Sequence, residues 1–247
     1  GGHLHFEIRN IDGHPINPLE KYYEIKDTKK PIPTSIAFIP IDSSCYIDGQ
    51  QKYMIYDLFK HDSLNYVLKD TISVIGNFGL GLEVDDEVDN QPFSYGIFNI
   101  KASIDDREIY NIIFDKYDMK HDHYIYNEID YNLLSKLSRK FHRLYITGNK
   151  DLNFIKNRSY SSFNIDEKFH KLEIIVLDNN RNQIKIHGIL QGDFLPNPNI
   201  SIIKNKSDIF LKSENNLNKY DLYLTTRYEN GTTGNLKYEV IDTNIYH

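Results

Sequence analysis

Residues 171–189 read KLEIIVLDNNRNQIKIHGI. On both sides of Asp178-Asn179-Asn180-Arg181-Asn182 the apolar and β-branched residues recur with a period close to two, which places them on one face of a strand. The five polar residues between are a turn signal, so the stretch predicts an antiparallel hairpin, 171–177 on 183–189. With the period close to two for most of the chain, apolar, β-branched and aromatic runs appear at 35–41, 52–59, 71–76 and 80–84. More follow at 95–104 and 108–114, joined across Asp105-Asp106-Arg107, and at 220–228 and 236–241, joined across 229–234. Short strands with turn signals at this spacing predict a mainly β protein, an antiparallel immunoglobulin-like β-sandwich rather than a parallel sheet with crossover helices.

One segment departs from that period. Between residues 130 and 144, Leu133, Leu134, Leu137, Phe141 and Leu144 fall at helical spacing, with Asp130 placed to cap and basic residues in the last turns. A short helix is predicted near 131–143, with Leu133, Leu137, Phe141 and Leu144 on its buried face. Upstream, residues 20–33 are polar and lysine-rich, close on Pro31-Ile32-Pro33, and read as a linker. The sandwich is assigned to 34–192. A boundary containing Pro196 and Pro198 follows it, then a partial or small second β unit at 199–247.

Bulk properties narrow the function classes. The 247 residues are 40% apolar, and 19 tyrosines and 13 phenylalanines supply large side chains for a core. Net charge is −6, with 29 basic against 35 acidic residues and no basic block, which argues against nucleic acid as a partner. A single cysteine, Cys45, excludes an internal disulfide and any Cys-x-x-Cys metal site; its default use is as a small apolar residue. No apolar run approaches the roughly 20 residues of a transmembrane helix, and no cationic-then-apolar leader is present.

The densest chemistry lies in residues 1–18, GGHLHFEIRNIDGHPINP. Residues 3–9 alternate: His3, His5, Glu7 and Arg9 share one face of a strand, and Leu4, Phe6 and Ile8 the other. Asn10 to Gly13 form a turn, and Pro15, Asn17 and Pro18 argue against regular pairing beyond it. Side chains two apart on a strand have roots about 6.5–7 Å apart, whereas zinc holds an imidazole nitrogen at roughly 2 Å. The spacing suits one ligand and one polarising or proton-handling group. It equally suits two incidental histidines on an exposed edge. A catalytic zinc needs about three protein ligands, more than His3 and His5 supply.

The string Gly2-His3-Leu4-His5-Phe6-Glu7-Ile8-Arg9, a turn, and then Pro15-Ile16-Asn17-Pro18 closely resembles the end of the catalytic domain of lysostaphin/LytM-type zinc endopeptidases, metallopeptidase family twenty-three. The resemblance covers about 18 residues. It implies that His5 is a zinc ligand and that His3 stabilises the attacking water or the transition state. It also implies a substrate, the peptide cross-links of peptidoglycan, and a place in the cell envelope, periplasmic or secreted. In that family two further ligands come from an upstream His-x-x-x-Asp motif. His61, His142, His170 and His187 have no aspartate four positions later. The chain therefore reads as the C-terminal piece of such a peptidase, with residues 1–19 its remnant, inactive and holding no zinc on its own. Gly76 to Gly81, Asp85-Asp86, Gly96-Ile97-Phe98 and Glu128 to Tyr131 resemble, more weakly, an accessory β-sandwich of such peptidases. The sandwich is expected to fold without residues 1–30. The alternative from another class is a non-catalytic β-sandwich that binds wall glycan or a partner protein.

Other clusters have plainer readings. His121 and His123, with Tyr124, Tyr126 and Asp130 nearby, offer transition-metal ligands, but a solvated loop is the commoner use. Glu83 to Asp89 concentrates five carboxylates without the spacing of a calcium loop, and reads as a solvated acidic loop. Gly76, Gly79 and Gly81 are not followed by a helix, so they predict a bulge or a close approach within a strand, not a phosphate cradle. The Asn-x-Ser/Thr strings at Asn157, Asn199, Asn205 and Asn230 are no more than an asparagine-rich chain yields by chance.

Overall fold

The hairpin at 171–189 is the spine of the larger of two sheets. Phe169–Leu177 pairs with Gln183–Gly192 from Phe169↔Gln191 to Leu177↔Gln183, closing on the five-residue turn read from the sequence. The structure is a computed structural model; it describes residues 6–116, 128–146, 155–157, 162–193, 200–205, 208–213, 225–227, 233–235, 240–242 and 245–246. Asn99–Ile104 continues the larger sheet beside Phe169–Leu177, and Arg107–Ile113 and Ile155–Asn157 extend it. Asp105 and Asp106, both at positive φ (49° and 61°), make the tight turn between 99–104 and 107–113. Two-residue hairpins favour that geometry because it follows the right-handed strand twist.

On the other side, Gln183–Gly192 takes Asn65–Val67 and Ile72–Ile75 as parallel neighbours. The sequence predicted an antiparallel arrangement, and these two short pairings are its exceptions. The second sheet is antiparallel: Ser94–Tyr95, Phe78–Glu87, Ile32–Pro40 and Met54–Asp57 in that order, with His142–Arg143 also on Phe78–Glu87. Ile36, Phe38, Leu80 and Leu82 of this sheet share one buried cluster with Ile100, Ile112, Leu172, Ile174, Val176, Ile184 and Ile186 of the larger. The sheets thus pack face to face, and each fully buried aliphatic side chain contributes about 1.5–3 kcal/mol.

The outer face of the second sheet is covered as well. The helix Tyr131–Leu137 is capped by Asp130, whose side chain accepts from the Leu133 amide, and stops at Ser138, in the left-handed region at φ 55°. It is shorter than predicted. Leu133, Ala37 and Phe141 form a second buried cluster, joined by Ile39, Tyr53 and Ile55. Leu137 is 38% exposed, so its predicted burial is corrected. The stripe needed an uninterrupted helix to 144. Once the chain turns at Ser138, Phe141 and Leu144 are buried from an extended segment, and Leu137 is left facing outward.

The glycines of Phe78–Glu87 permit this cover. A Cβ on Gly79 would lie 2.5 Å from the Tyr145 ring, and one on Gly81 would lie 3.4 Å from Phe141 Cβ and from Ala37 Cβ. They mark a close approach within a strand, one of the two uses predicted.

Residues 6–31 lie along the sandwich. Ile8–Arg9 pairs with Pro15–Ile16 as a small hairpin whose turn uses Gly13 at φ 82°. Pro15 therefore does pair, contrary to expectation; with two residues per strand, the neighbouring bond from the Asn10 amide to the His14 carbonyl does not require a proline N–H. Asn17 then anchors the chain. Its amide donates to the Asp115 carbonyl at 2.9 Å, and its Nδ2 to the Phe114 carbonyl at 3.1 Å and to Asn179 Oδ1 at 2.6 Å. The segment after the short helix Pro18–Lys21 has no strand or helix until Ile32, yet Asp27 within it is buried.

These contacts change the expectation that the sandwich stands without residues 1–30. A chain beginning at Pro31 loses the bonds made by Asn17 and by residues 25–29, each worth about 0.5–1.5 kcal/mol net. We expect a cost of about 2–4 kcal/mol, a melting temperature lower by about 5–10 °C for a chain of this size. An unchanged melting temperature by circular dichroism would contradict this.

Ile200–Asn205, Asp208–Ser213, Ile245–Tyr246 and Val240–Asp242 form a separate sheet, and Thr225–Arg227 pairs with Thr233–Asn235. Among the described residues no helix is long and apolar enough to cross a membrane.

Candidate functional site

His3, His5, His121 and His123 lie outside the described residues. The turn Asp178-Asn179-Asn180-Arg181-Asn182 meets the amino-terminal segment along its length. Asn179 accepts from Asn17 and donates to the Gly96 carbonyl at 3.3 Å. Asn180 Nδ2 donates to the Ile25 carbonyl, and the Arg181 guanidinium pairs with Glu20 while lying 3.6 Å from the centre of the Phe98 ring. Asn182 Nδ2 donates to the Asp27 carbonyl at 3.2 Å. Four consecutive polar side chains of one turn are thus used for docking.

Beneath that turn Asp27, Asp86 and Asp178 converge. One carboxylate oxygen from each lies within 4.8 Å of the other two, and all three residues are buried; Asp86 and Asp178 are each 1% exposed. Each arrives for a local reason. Asp178 opens the hairpin turn, and its Oδ1 accepts the Asn182 amide at 2.8 Å while its Oδ2 accepts Asn182 Nδ2 at 2.7 Å. Asp27 Oδ1 accepts the amides of Lys29 and Asp89, both at 3.1 Å.

Asp86 comes from the acidic run read as a loop. The run is instead the end of the strand Phe78–Glu87, and the strand's alternation sorts its charges. Asp85 and Glu87 point outward, Glu87 to Lys29 Nζ at 2.9 Å, and Asp86 points inward, where its Oδ1 has no hydrogen-bond partner. Glu83, nearer the sheet centre, takes Arg139 Nε at 3.0 Å on Oε1, and Arg139 Nη2 donates to Ser35 Oγ at 2.7 Å.

Burial raises the Asp86 carboxyl to about 7, reinforced by the charges of Asp178 and Asp27. Burial also raises the carboxyl of Asp178, with Asp27 adding to it, against the hydrogen bonds from Asn182 that oppose the shift. Taking an ionised carboxylate from water without a partner costs several kcal/mol, so the cluster calls for a compensating charge.

Two further groups have titratable side chains. His142 Nδ1 pairs with Glu128 Oε1; His142 is buried and Glu128 half-buried beside a cleft of about 430 Å³ that Asn17, Phe114 and Asn179 also line. Cys45 is fully buried, and burial raises its thiol to about 12, which fits the apolar role predicted for it.

No known protein family, curated protein or solved structure matches the chain.

Proposed function

We propose that this chain carries the last active-site strand of a zinc-dependent endopeptidase that cleaves peptidoglycan peptide cross-links, together with the immunoglobulin-like sandwich on which that strand is mounted. The observation that carries the reading is the string from Gly2 to Pro18, in which His3 and His5 stand two residues apart in the sequence and an Asn-Pro pair follows the turn. Its anchoring supports the reading. Asn17, near the end of the string, is held to the sandwich at Asp115, Phe114 and Asn179.

On this reading His5 holds the ion through one imidazole nitrogen, and His3, two residues away, reaches the water or the developing oxyanion. Zinc, when bound, supplies a water acidic enough to attack a peptide carbonyl near neutral pH. The protein's surroundings are the cell envelope, where the cross-links are.

The test is metal content and wall digestion by the polypeptide that includes the sequence encoded upstream of Gly1. His5→Ala should lose zinc. His3→Ala should keep most of the zinc and lose turnover by about a hundredfold or more, the scale of one positioned acid or base. If zinc retention depended on His3 as strongly as on His5, the two roles would be wrong. If neither substitution altered zinc or turnover, the peptidase reading would fall.

A further inference from the structure

Among the described residues, Asp27, Asp86 and Asp178 are the one group of three potential ligands brought together in the fold, and the group is independent of the histidines at 3 and 5. We propose that Asp27, Asp86 and Asp178 form a calcium site that fastens the amino-terminal segment and the 178–182 turn to the end of the strand Phe78–Glu87.

Two observations carry this. The first is the convergence itself, within 4.8 Å, of three carboxylates from segments far apart in sequence. Calcium binds oxygen at 2.3–2.6 Å, so ligands across its coordination sphere stand at most about 4.6–5.2 Å apart, and the group fits inside that span. The second is Asp86 Oδ1, which is buried and has no hydrogen-bond partner among the described residues. Buried carboxylate oxygens are ordinarily satisfied, and an orphan one in a native fold calls for an ion or a bound water.

The surrounding donors leave that oxygen available. Asn182 gives its amide and its Nδ2 to Asp178, with Nδ2 also reaching the Asp27 carbonyl; the Lys29 and Asp89 amides go to Asp27 Oδ1, and the Lys29 ammonium is turned outward to Glu87. Among the described residues no cation is paired with Asp86. The acting charges of largest effect on it are the other two carboxylates.

The donor chemistry selects the class of ion. Three carboxylates without a thiol or imidazole favour a hard cation over zinc or copper. Between the two common hard cations, magnesium dehydrates reluctantly and keeps several waters, whereas calcium accepts a buried, irregular set of carboxylate and carbonyl oxygens. With all three carboxylates ionised, a divalent ion leaves the group at a net charge of about −1 instead of −3, a far smaller burial cost.

The experiment is a thermal melt of the whole 247-residue chain in chelator, in calcium chloride and in magnesium chloride, with terbium as a luminescent stand-in excited through tyrosine. Tyr95 faces Asp86 across the ladder and is placed to sensitise it. Calcium at about a hundredfold over its dissociation constant should raise the melting temperature by about 5–10 °C. One terbium should bind per chain and be displaced by calcium, and magnesium should give less than half the calcium shift.

Asp86→Asn should abolish both the shift and the terbium signal, and in chelator should melt no lower than the unaltered chain, because the amide removes an unpaired buried charge. Asp178→Asn and Asp27→Asn should likewise lose the calcium response, and either one decides the matter if Asp86→Asn does not fold. No calcium shift in the unaltered chain, or an equal shift in the variants, overturns the site. An equal shift with magnesium overturns the choice of ion.

Discussion

Replacing Gly192 with alanine is expected to destabilise the protein by more than about 3 kcal/mol, lowering its melting temperature by about 6–12 °C. A Cβ there would stand 1.6 Å from the Asp166 carbonyl oxygen and 2.6 Å from its carbon. The obstacle is backbone, which cannot rotate aside as a side chain does. It is also fixed on both sides: the Gly192 amide donates to the Lys168 carbonyl at 2.8 Å, and Gly192 is in register with Val74. Relief requires moving residues 166–168, the entry to the strand Phe169–Leu177 at the centre of the larger sheet. Gly96→Ala is the control. No atom lies within 4 Å of the added carbon, so the change should fall within about 0.5 kcal/mol in a urea titration. Equal stability of the two variants would show that the 166–168 segment is not held where the structure puts it.

Leu133→Asp and Leu137→Asp should separate by several kcal/mol although both residues belong to the same seven-residue helix. Leu133 is 1% exposed and shares its cluster with Ala37 and Phe141, so an aspartate there buries a charge with no partner and removes the contact that holds the helix to the sheet. We expect about 3–5 kcal/mol. Leu137 is 38% exposed, and an aspartate there loses little burial and adds a small unfavourable interaction with the helix C-terminus, within about 1 kcal/mol in total. Comparable losses from the two would restore the longer helix that the leucine spacing suggested.

That pair of residues also indicates what could be read before folding was known. Period two marks the strands on both sides of 178–182 because only one face of each is apolar, and the hairpin closes where the polar run said it would. The strand Ile32–Pro40 was harder to read. Ser35, Ile36, Ala37 and Phe38 are buried in succession because the sheet is covered on both faces, so alternation gives no guide there. The helix was visible from its cap and its leucines, but its end was not, since a serine in the left-handed region carries no strong signal.

The acidic cluster was half visible. The carboxylates at 83–89 stood out as a group, and a period-two reading carried past Val84 would have turned Asp86 inward from its neighbours. Asp27 and Asp178 gave no such sign. One sat in a segment read as a linker and the other in a turn where aspartate is ordinary, and only the tertiary fold makes them neighbours of Asp86. The histidines at 3 and 5 stand on the other side of this comparison: sequence gives their pattern, and they lie outside the described residues.

The parallel pairing of Gln183–Gly192 with Asn65–Val67 and Ile72–Ile75 has a consequence for the order in which the protein can be built. Lys185 is in register with Asn65, and Leu190 with Ile72. A ribosome adding about 5–20 residues per second needs on the order of 6–24 s to travel from one partner to the other. Ile72 and Val74, both interior in the finished fold, therefore leave the ribosome with Tyr46–Ile47 available on one side and the neighbour on the other not yet made. The nascent chain therefore spends its longest wait with an open strand edge, the state most prone to pairing with another copy.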